Sequence, residues 1–341
     1  MQQYVDRVEE FMEALISREA MPEGAGLCRH CNQFLAVWRC KDCVLATPKC
    51  RSCIRNIHRE NPFHRIERWN GSYYRPAELR EVGAYLLVRH CTGDAICDTL
   101  SRWTNILDSA ETVNDKTEQE ELRRIDYAPS QSQGQVPGED TQEFDDRDFD
   151  LEGDPDIGGS DDEEEDIDGD DDLEDDIDAG ADPALAASTL GPLRRVVHTN
   201  GLHHIHMISC QCHGEDALPL DLFASQLIPA SLKRIQTIFT VQVLDQFRLC
   251  NLELKASAYQ FHQLLRRLTR PMSPAEVPNL YREFRRIVRI WRWMKRLKWA
   301  GYAGSSRKVK EVGSGELTIF CPACPQPGIN IPDNWREDPA R

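Results

Sequence analysis

The spacing of hydrophobic and polar positions divides this chain into four zones. In residues 1–20, Val5, Val8, Phe11, Met12, Leu15 and Ile16 recur at helical spacing with acids between them. That pattern predicts an amphipathic helix rather than the unbroken apolar stretch of a signal peptide. Residues 24–105 are apolar-poor and end in ERWNGSYYRPAELREVGAYLLV, which reads as a turn at Asn70-Gly71 and a short helix from about Ala77. Residues 110–190, which hold PSQSQGQVPGED and then DDEEEDIDGDDDLEDDID, read as a linker. In residues 191–341, VVHTNGLHHIHMISC sets Asn200-Gly201 between two β-prone runs, a hairpin signal. Helices are predicted at about 220–227, 238–249, 253–269 and 277–299, the last two parted by Pro271, Pro274 and Pro278. A short strand, ELTIF, leads into CPACP. No repeat of solenoid period is present, and no run approaches the ~18 apolar residues of a membrane span.

Charge sharpens the division. From Glu139 to Asp182 there are 25 Asp and Glu against one Arg, a local charge of −24 within a total of −16, which leaves the rest of the chain at +8. Such a segment buries too little apolar surface to offset chain entropy, so disorder is expected over the linker. The remainder is basic.

Thirteen cysteines in a chain read as intracellular point to metal rather than disulfides. Cys28/Cys31, Cys40/Cys43 and Cys50/Cys53 are three Cys-x-x-Cys half-sites, and His58/His64 supply a fourth. Zinc takes four such ligands in a tetrahedron, so eight ligands suit two ions. Their even rhythm suggests interleaving, the cross-brace of B-box and RING-like modules; sequential pairing is the alternative. About 40 residues with so few apolar side chains do not make a stable core alone. A structural zinc ion supplies on the order of 10–16 kcal/mol in small peptides. Every site closes with four ligands, which argues against a catalytic metal.

Farther along, Cys210-x-Cys212 closes the predicted hairpin and Cys321-Pro-Ala-Cys324 follows the last strand. One ion held by all four would staple the C-terminal zone together, giving three ions in all. The alternatives are two unrelated thiol pairs, or a knuckle completed by His203, His206 or His213. Cys91, Cys97 and Cys250 read as ordinary thiols.

YREFRRIVRIWRWMKRLKW, residues 281–299, is a basic amphipathic helix. Arg282, Arg285, Arg286, Arg289, Arg292 and Arg296 fall within an arc of about 120° on a helical projection. Trp293 lies inside that arc, and Phe284, Ile287, Val288, Trp291 and Met294 face the other way. Arginine suits bidentate phosphate contact and an exposed indole can stack on a base. These seven residues are the candidate nucleic-acid contacts. A solvated face, or masking by the acidic linker, is the alternative.

The fold class expected is therefore a small zinc-stabilised α+β protein. A cross-brace zinc module over 24–105 and a mainly helical domain with a β-hairpin over 191–341 would flank a disordered acidic linker over 110–190.

Several stretches together carry a resemblance: CKDC, HRENPFHRIERWNGSYYRPAEL, VVHTNGLHHIHMISCQC, FTVQVLDQFRLCNLELKASAYQFHQLLRRLT and GELTIFCPACPQPGINIPDNW. Over roughly 28–105 and 194–336 the chain resembles the CxC-type cysteine-cluster domain N-terminal to the KDZ (Kyakuja–Dileera–Zisupton) transposases of fungi. The resemblance implies a zinc-chelating, DNA-associated module acting in the nucleus, and it supports Cys210, Cys212, Cys321 and Cys324 as one set. In those transposases the catalytic carboxylates lie in an RNase H-like domain after the CPACP…NW segment. No such set is found in these residues, so no nuclease activity is expected. The other function considered is a B-box-like protein-interaction module with an acidic docking tail. Neither a membrane nor a small-molecule substrate is indicated.

Overall fold

The computed structural model describes residues 2–21, 26–44, 47–88, 98–124, 191–210, 217–302, 308–313 and 316–317, with short pieces between 324 and 336. The expected disorder over 125–190, the strand beyond Leu317, and Cys91 and Cys97 fall outside these residues.

The first zone forms two helices, α1 (Gln2–Val5) and α2 (Val8–Ile16), and α2 buries none of its residues. A three-stranded antiparallel sheet follows: β1 (Trp38–Cys40), β2 (Ile66–Trp69) and β3 (Tyr74–Ala77). Between β1 and β2 lies α3 (Arg51–Ile57). At the predicted turn the Asn70 side chain accepts the N–H groups of Ser72 and Tyr73, the local Asx bonding that makes asparagine a turn residue. The core here is small, centred on Trp38, Ile54, Ile66, Trp69, Leu79 and Val82.

The short helix expected from about Ala77 is a 3-10 turn, Leu79–Val82, closed reciprocally by the side chains of Glu78 and Glu81. Gly83 ends it at φ +75°, and a side chain there would strike the carboxylate of Glu111. The chain then leaves the module as β4 (Tyr85–Val88).

β4 pairs in parallel with β6 (Gly201–Ser209), so the N-terminal half lends an edge strand to the C-terminal sheet. That sheet has five strands in the order β4-β6-β5-β8-β7, with β5 (Leu193–His198), β7 (Leu227–Pro229) and β8 (Thr237–Thr240). The C-terminal half is thus more than a helical domain with a hairpin. The strands escaped sequence reading because LIP and TIFT are short apolar runs, and periodicity alone cannot separate such runs from helix. The helix predicted over 238–249 begins instead at Val241, because Thr240 ends β8 and its hydroxyl accepts the Val243 N–H as an N-cap.

Period-two alternation gives the sheet two apolar faces. Val197 and Phe239 join a core with α6 (Val241–Glu253), α7 (Ala258–Thr269) and α8 (Tyr281–Trp299). Their neighbours Val196 and Ile238 face Leu222 of α5 (Leu218–Ala224) and Val88 of β4. The hairpin turn lies where it was expected: Gly201 has φ +127° and packs on Thr269, whose hydroxyl accepts the Leu202 N–H at 2.9 Å.

α4 (Asp98–Arg124) is the largest departure from the sequence pattern, which places residues 110–124 in the linker. Its buried face mixes Leu100, Leu107 and Leu122 with the carboxylates Glu111, Asp115 and Glu118. These three meet Arg51, Arg55 and Arg68, and the more exposed Asp108 meets Arg59. Asp115 grips the Arg55 guanidinium with both oxygens, at 3.0 and 2.8 Å. Glu118 accepts the Trp38 indole N–H at 3.2 Å. Leu100 and Leu107 pack with Ile208 and Cys210, while Leu122 joins the core of the first sheet. One helix therefore clamps both halves.

Two outcomes follow from these contacts. Asp115→Ala takes the two-oxygen partner from the buried Arg55 guanidinium, which keeps the Val82 carbonyl and Glu111, and should cost about 3 kcal/mol in denaturant unfolding. Asp108→Ala removes an exposed pair and should cost less than about 1 kcal/mol. The second concerns His262, whose Nε2 accepts the Leu280 N–H at 3.2 Å. Burial, reinforced by Arg266, holds its pKa down at about 4, from 6.5. The unfolded chain then binds a proton that the folded chain does not. Stability should be full above pH 6.5 and fall towards pH 4, and the urea midpoint should track that window. His262→Gln, which keeps an acceptor for Leu280, should reduce the slope, and the remainder includes the share of His203, which burial also holds down at about 4.

Candidate functional site

Two groups of four ligands converge in the N-terminal module: Cys28, Cys31, Cys50 and Cys53, and Cys40, Cys43, His58 and His64. Within each group all ligand atoms lie within 4.8 Å of one another. No disulfide links the six cysteines. In chain order the first half-site meets the third, and the second meets the histidines.

Local structure places each ligand. Cys28 and Cys31 stand on a tight loop in which the Asn32 N–H reaches the Cys28 carbonyl at 2.7 Å, with Asn32 in the left-handed region at φ 54°. Cys50 caps α3 and Cys53 lies in its first turn, while His58 closes the same helix. Cys40 ends β1, Cys43 follows in the next turn, and His64 precedes β2. α3 thus carries ligands to both groups, two at its start and one at its end.

The distances suit tetrahedral zinc. Zinc–sulfur arms of about 2.3 Å imply S···S edges of about 3.8 Å, and one imidazole arm shortens an edge to about 3.6 Å. Cys31 Sγ lies 3.7 Å from Cys50 Sγ. Cys43 Sγ lies 3.5 Å from both His58 Nε2 and His64 Nδ1, and Cys40 Sγ lies 3.5 Å from His64 Nδ1. His58 Nδ1 donates to the Ile54 carbonyl at 2.7 Å, which fixes the tautomer and leaves Nε2 as the ligand atom.

The electrostatics bear on how a cation would be held. Burial, with Cys43 adjacent, pushes the Cys40 thiol up to about 12. Burial raises Cys50 to about 11, and burial with Cys50 adjacent raises Cys53 as well. At Cys31 burial is outweighed by hydrogen bonds from the backbone at Gln33 and Phe34, and the thiol falls to about 7. Burial keeps His58 below the ordinary histidine value, hence neutral. Crowded thiols cannot all ionise together, whereas a dication lets each bind as thiolate.

The second group touches the C-terminal hairpin. Asp42, between Cys40 and Cys43, binds Arg65 through its backbone N–H at 2.6 Å and its guanidinium at 2.6 Å. The same carboxylate accepts the Asn200 amide at 3.2 Å, and that amide also donates to the Phe63 carbonyl at 2.9 Å. The Phe63 ring packs on His198 and His203. The hairpin that ends at Cys210 is therefore seated on the His64 ligand loop.

Residues 186–273 match the family model of the CxC2 like cysteine cluster associated with KDZ transposases. No curated protein and no solved structure matches the chain. The CxC2-like segment spans β5 to α7, so it includes Cys210 and Cys212 and excludes both four-ligand groups and α8.

Cys210 is buried where β6 ends beside α4. Cys212 and Cys321 lie outside the described residues, and Cys324 is exposed. The other histidines of the CxC2-like hairpin bind elsewhere: His203 to Asn200 at 2.7 Å, His204 to Glu78 at 3.0 Å and His206 to the Gly191 carbonyl at 2.9 Å.

α8 packs as its pattern predicts, with Phe284, Ile287, Val288 and Leu297 buried. All six arginines of the arc, and Trp293, are exposed. Arg286 donates to the Ala230 carbonyl, Arg292 to Asn251 at 2.9 Å, and Arg285 lies over the Tyr281 ring. No described acid pairs with Arg282, Arg289 or Arg296. Lys295, on the apolar side, is neutralised by Asp245 at 3.0 Å, which also accepts the Trp291 indole N–H. Among the described residues no helix is long and apolar enough to cross a membrane.

Elemental analysis of the purified, reduced chain checks the ligand groups. Cys53→Ser and His58→Ala should each lower bound zinc by one ion per chain, and Cys250→Ser should leave it unchanged.

Proposed function

We propose that the chain is a zinc-binding, DNA-associated module of transposase type. Zinc at the two four-ligand groups would brace α3 crosswise and so build the N-terminal module. The reading rests chiefly on one combination: a segment matching the KDZ-associated CxC2 cluster touches one of two zinc-compatible ligand sets, through Asn200 and Asp42. A third ion, held by Cys210, Cys212, Cys321 and Cys324, belongs to the same proposal, as does action in the nucleus.

DNA association is supported by the exposed arginines of α8. Guanidinium groups neutralise phosphates and release counterions, and such contacts position a protein without specifying sequence. We further propose that the chain binds without cutting. In support, the buried carboxylates Glu111, Asp115 and Glu118 are occupied by arginines and an indole, which leaves them unfit to hold a catalytic dication. A protein-interaction role is the second reading, favoured by the exposed apolar side chains of α2, among them Met12, Leu15 and Ile16.

Binding of the zinc-loaded chain to DNA, followed across salt concentration, tests the proposal. Log affinity should fall linearly with log salt, and Arg285→Gln and Arg289→Gln should each reduce the slope by about 0.7–0.9. A flat salt dependence would leave the protein-interaction reading in its place.

A further inference from the structure

The arginine face of α8 is not uniform along its length. Arg282 and Arg289 continue at the seven-residue interval to Arg296, but Arg286 is followed by Trp293, and Arg285 and Arg292 by Trp299. Two of three rows therefore change from guanidinium to indole towards the C-terminal end. Trp293, Arg296 and Trp299 stand three residues apart, so they form a ladder of adjacent side chains rising about 4.5 Å per step.

Both rings are open to solvent. Trp293 is 50% exposed and Trp299 66% exposed. They differ from the indoles this chain uses structurally: Trp38 is buried against Glu118, and Trp291 is bonded to Asp245. Arg248 of α6 lies over the Trp299 ring, 5.8 Å from its centroid, and supports one face of it. The helix ends immediately afterwards. Gly301 turns left-handed at φ +83°, and the Tyr302 N–H returns to the Leu297 carbonyl at 3.0 Å.

From this arrangement we propose that the C-terminal end of α8 is a stacking platform for single-stranded DNA, with Trp293 and Trp299 under unpaired bases and Arg296 between them on the phosphates. This rests on the DNA-binding reading given above and specifies the form of DNA. Duplex DNA keeps its bases stacked on one another and offers a protein only their edges, so an indole facing it has nothing to stack upon. An unpaired strand offers base faces and phosphates in alternation, and indoles interleaved with cations match both. The charge of the face selects a polyanion over a neutral apolar partner.

The experiment compares binding of the zinc-loaded full chain to a fluorescent oligothymidylate and to a hairpin duplex of the same total charge, at fixed salt. The single strand should bind tighter and quench tryptophan fluorescence. Trp293→Ala and Trp299→Ala should each weaken single-strand binding about tenfold and duplex binding far less. Trp293→Phe should recover most of the loss. Both positions are exposed, and unchanged zinc content and circular dichroism confirm that the variants fold. Equal affinity for both forms, with alanine variants that bind as the parent does while Arg289→Gln still weakens both, would overturn the platform and leave the DNA-binding reading intact. Absence of binding to either form would remove both.

Discussion

Two convergences of soft donor atoms set the shape of the N-terminal module, and much else is hung on them. α3 has only seven residues, well below the length at which a helix is stable by itself. Cys50 and Cys53 at one end and His58 at the other belong to different four-residue groups that could hold metal ions. Under the proposed zinc binding, what packs on α3 takes its position from those residues. The apolar core beneath it is too small to set the helix's direction with comparable force.

From α3 the constraint passes outward by two routes. Arg51, Arg55 and Arg59 project from the helix and its end towards the acidic stripe of α4, which then reaches the five-stranded sheet through Leu100 and Leu107. The second route runs from the loop between Cys40 and Cys43, through Asp42, to Asn200 at the tip of the CxC2-like hairpin. Buried ion pairs and a bifurcated amide are directional contacts, and each loses much of its value if its partner shifts. The N-terminal ligand groups and the CxC2-like segment therefore form one continuous structure.

The two four-ligand groups were more legible than the fold. Ligand residues announce themselves because zinc chemistry requires particular atoms at short, repeated spacings. The arginine arc was legible because a helix converts sequence intervals directly into angles. α4 is hard to read from sequence because its inward face carries Glu111, Asp115 and Glu118, residues that ordinarily mark solvent. Nor could β4 be placed in the C-terminal sheet, because its partner β6 is more than a hundred residues away and parallel pairing leaves no local turn signature.

What the sequence alone determined is whatever depends on local geometry: the half-site cysteines, the Asn70-Gly71 and Asn200-Gly201 turns, the apolar and basic sides of α8, and the acidity of the segment between Glu139 and Asp182. The tertiary structure decided which half-sites share a centre, which arginines remain exposed, and how α4 and β4 tie the two halves together. Those outcomes depend on contacts between residues far apart in the chain, and such contacts follow from the way the whole chain packs, which no local pattern encodes.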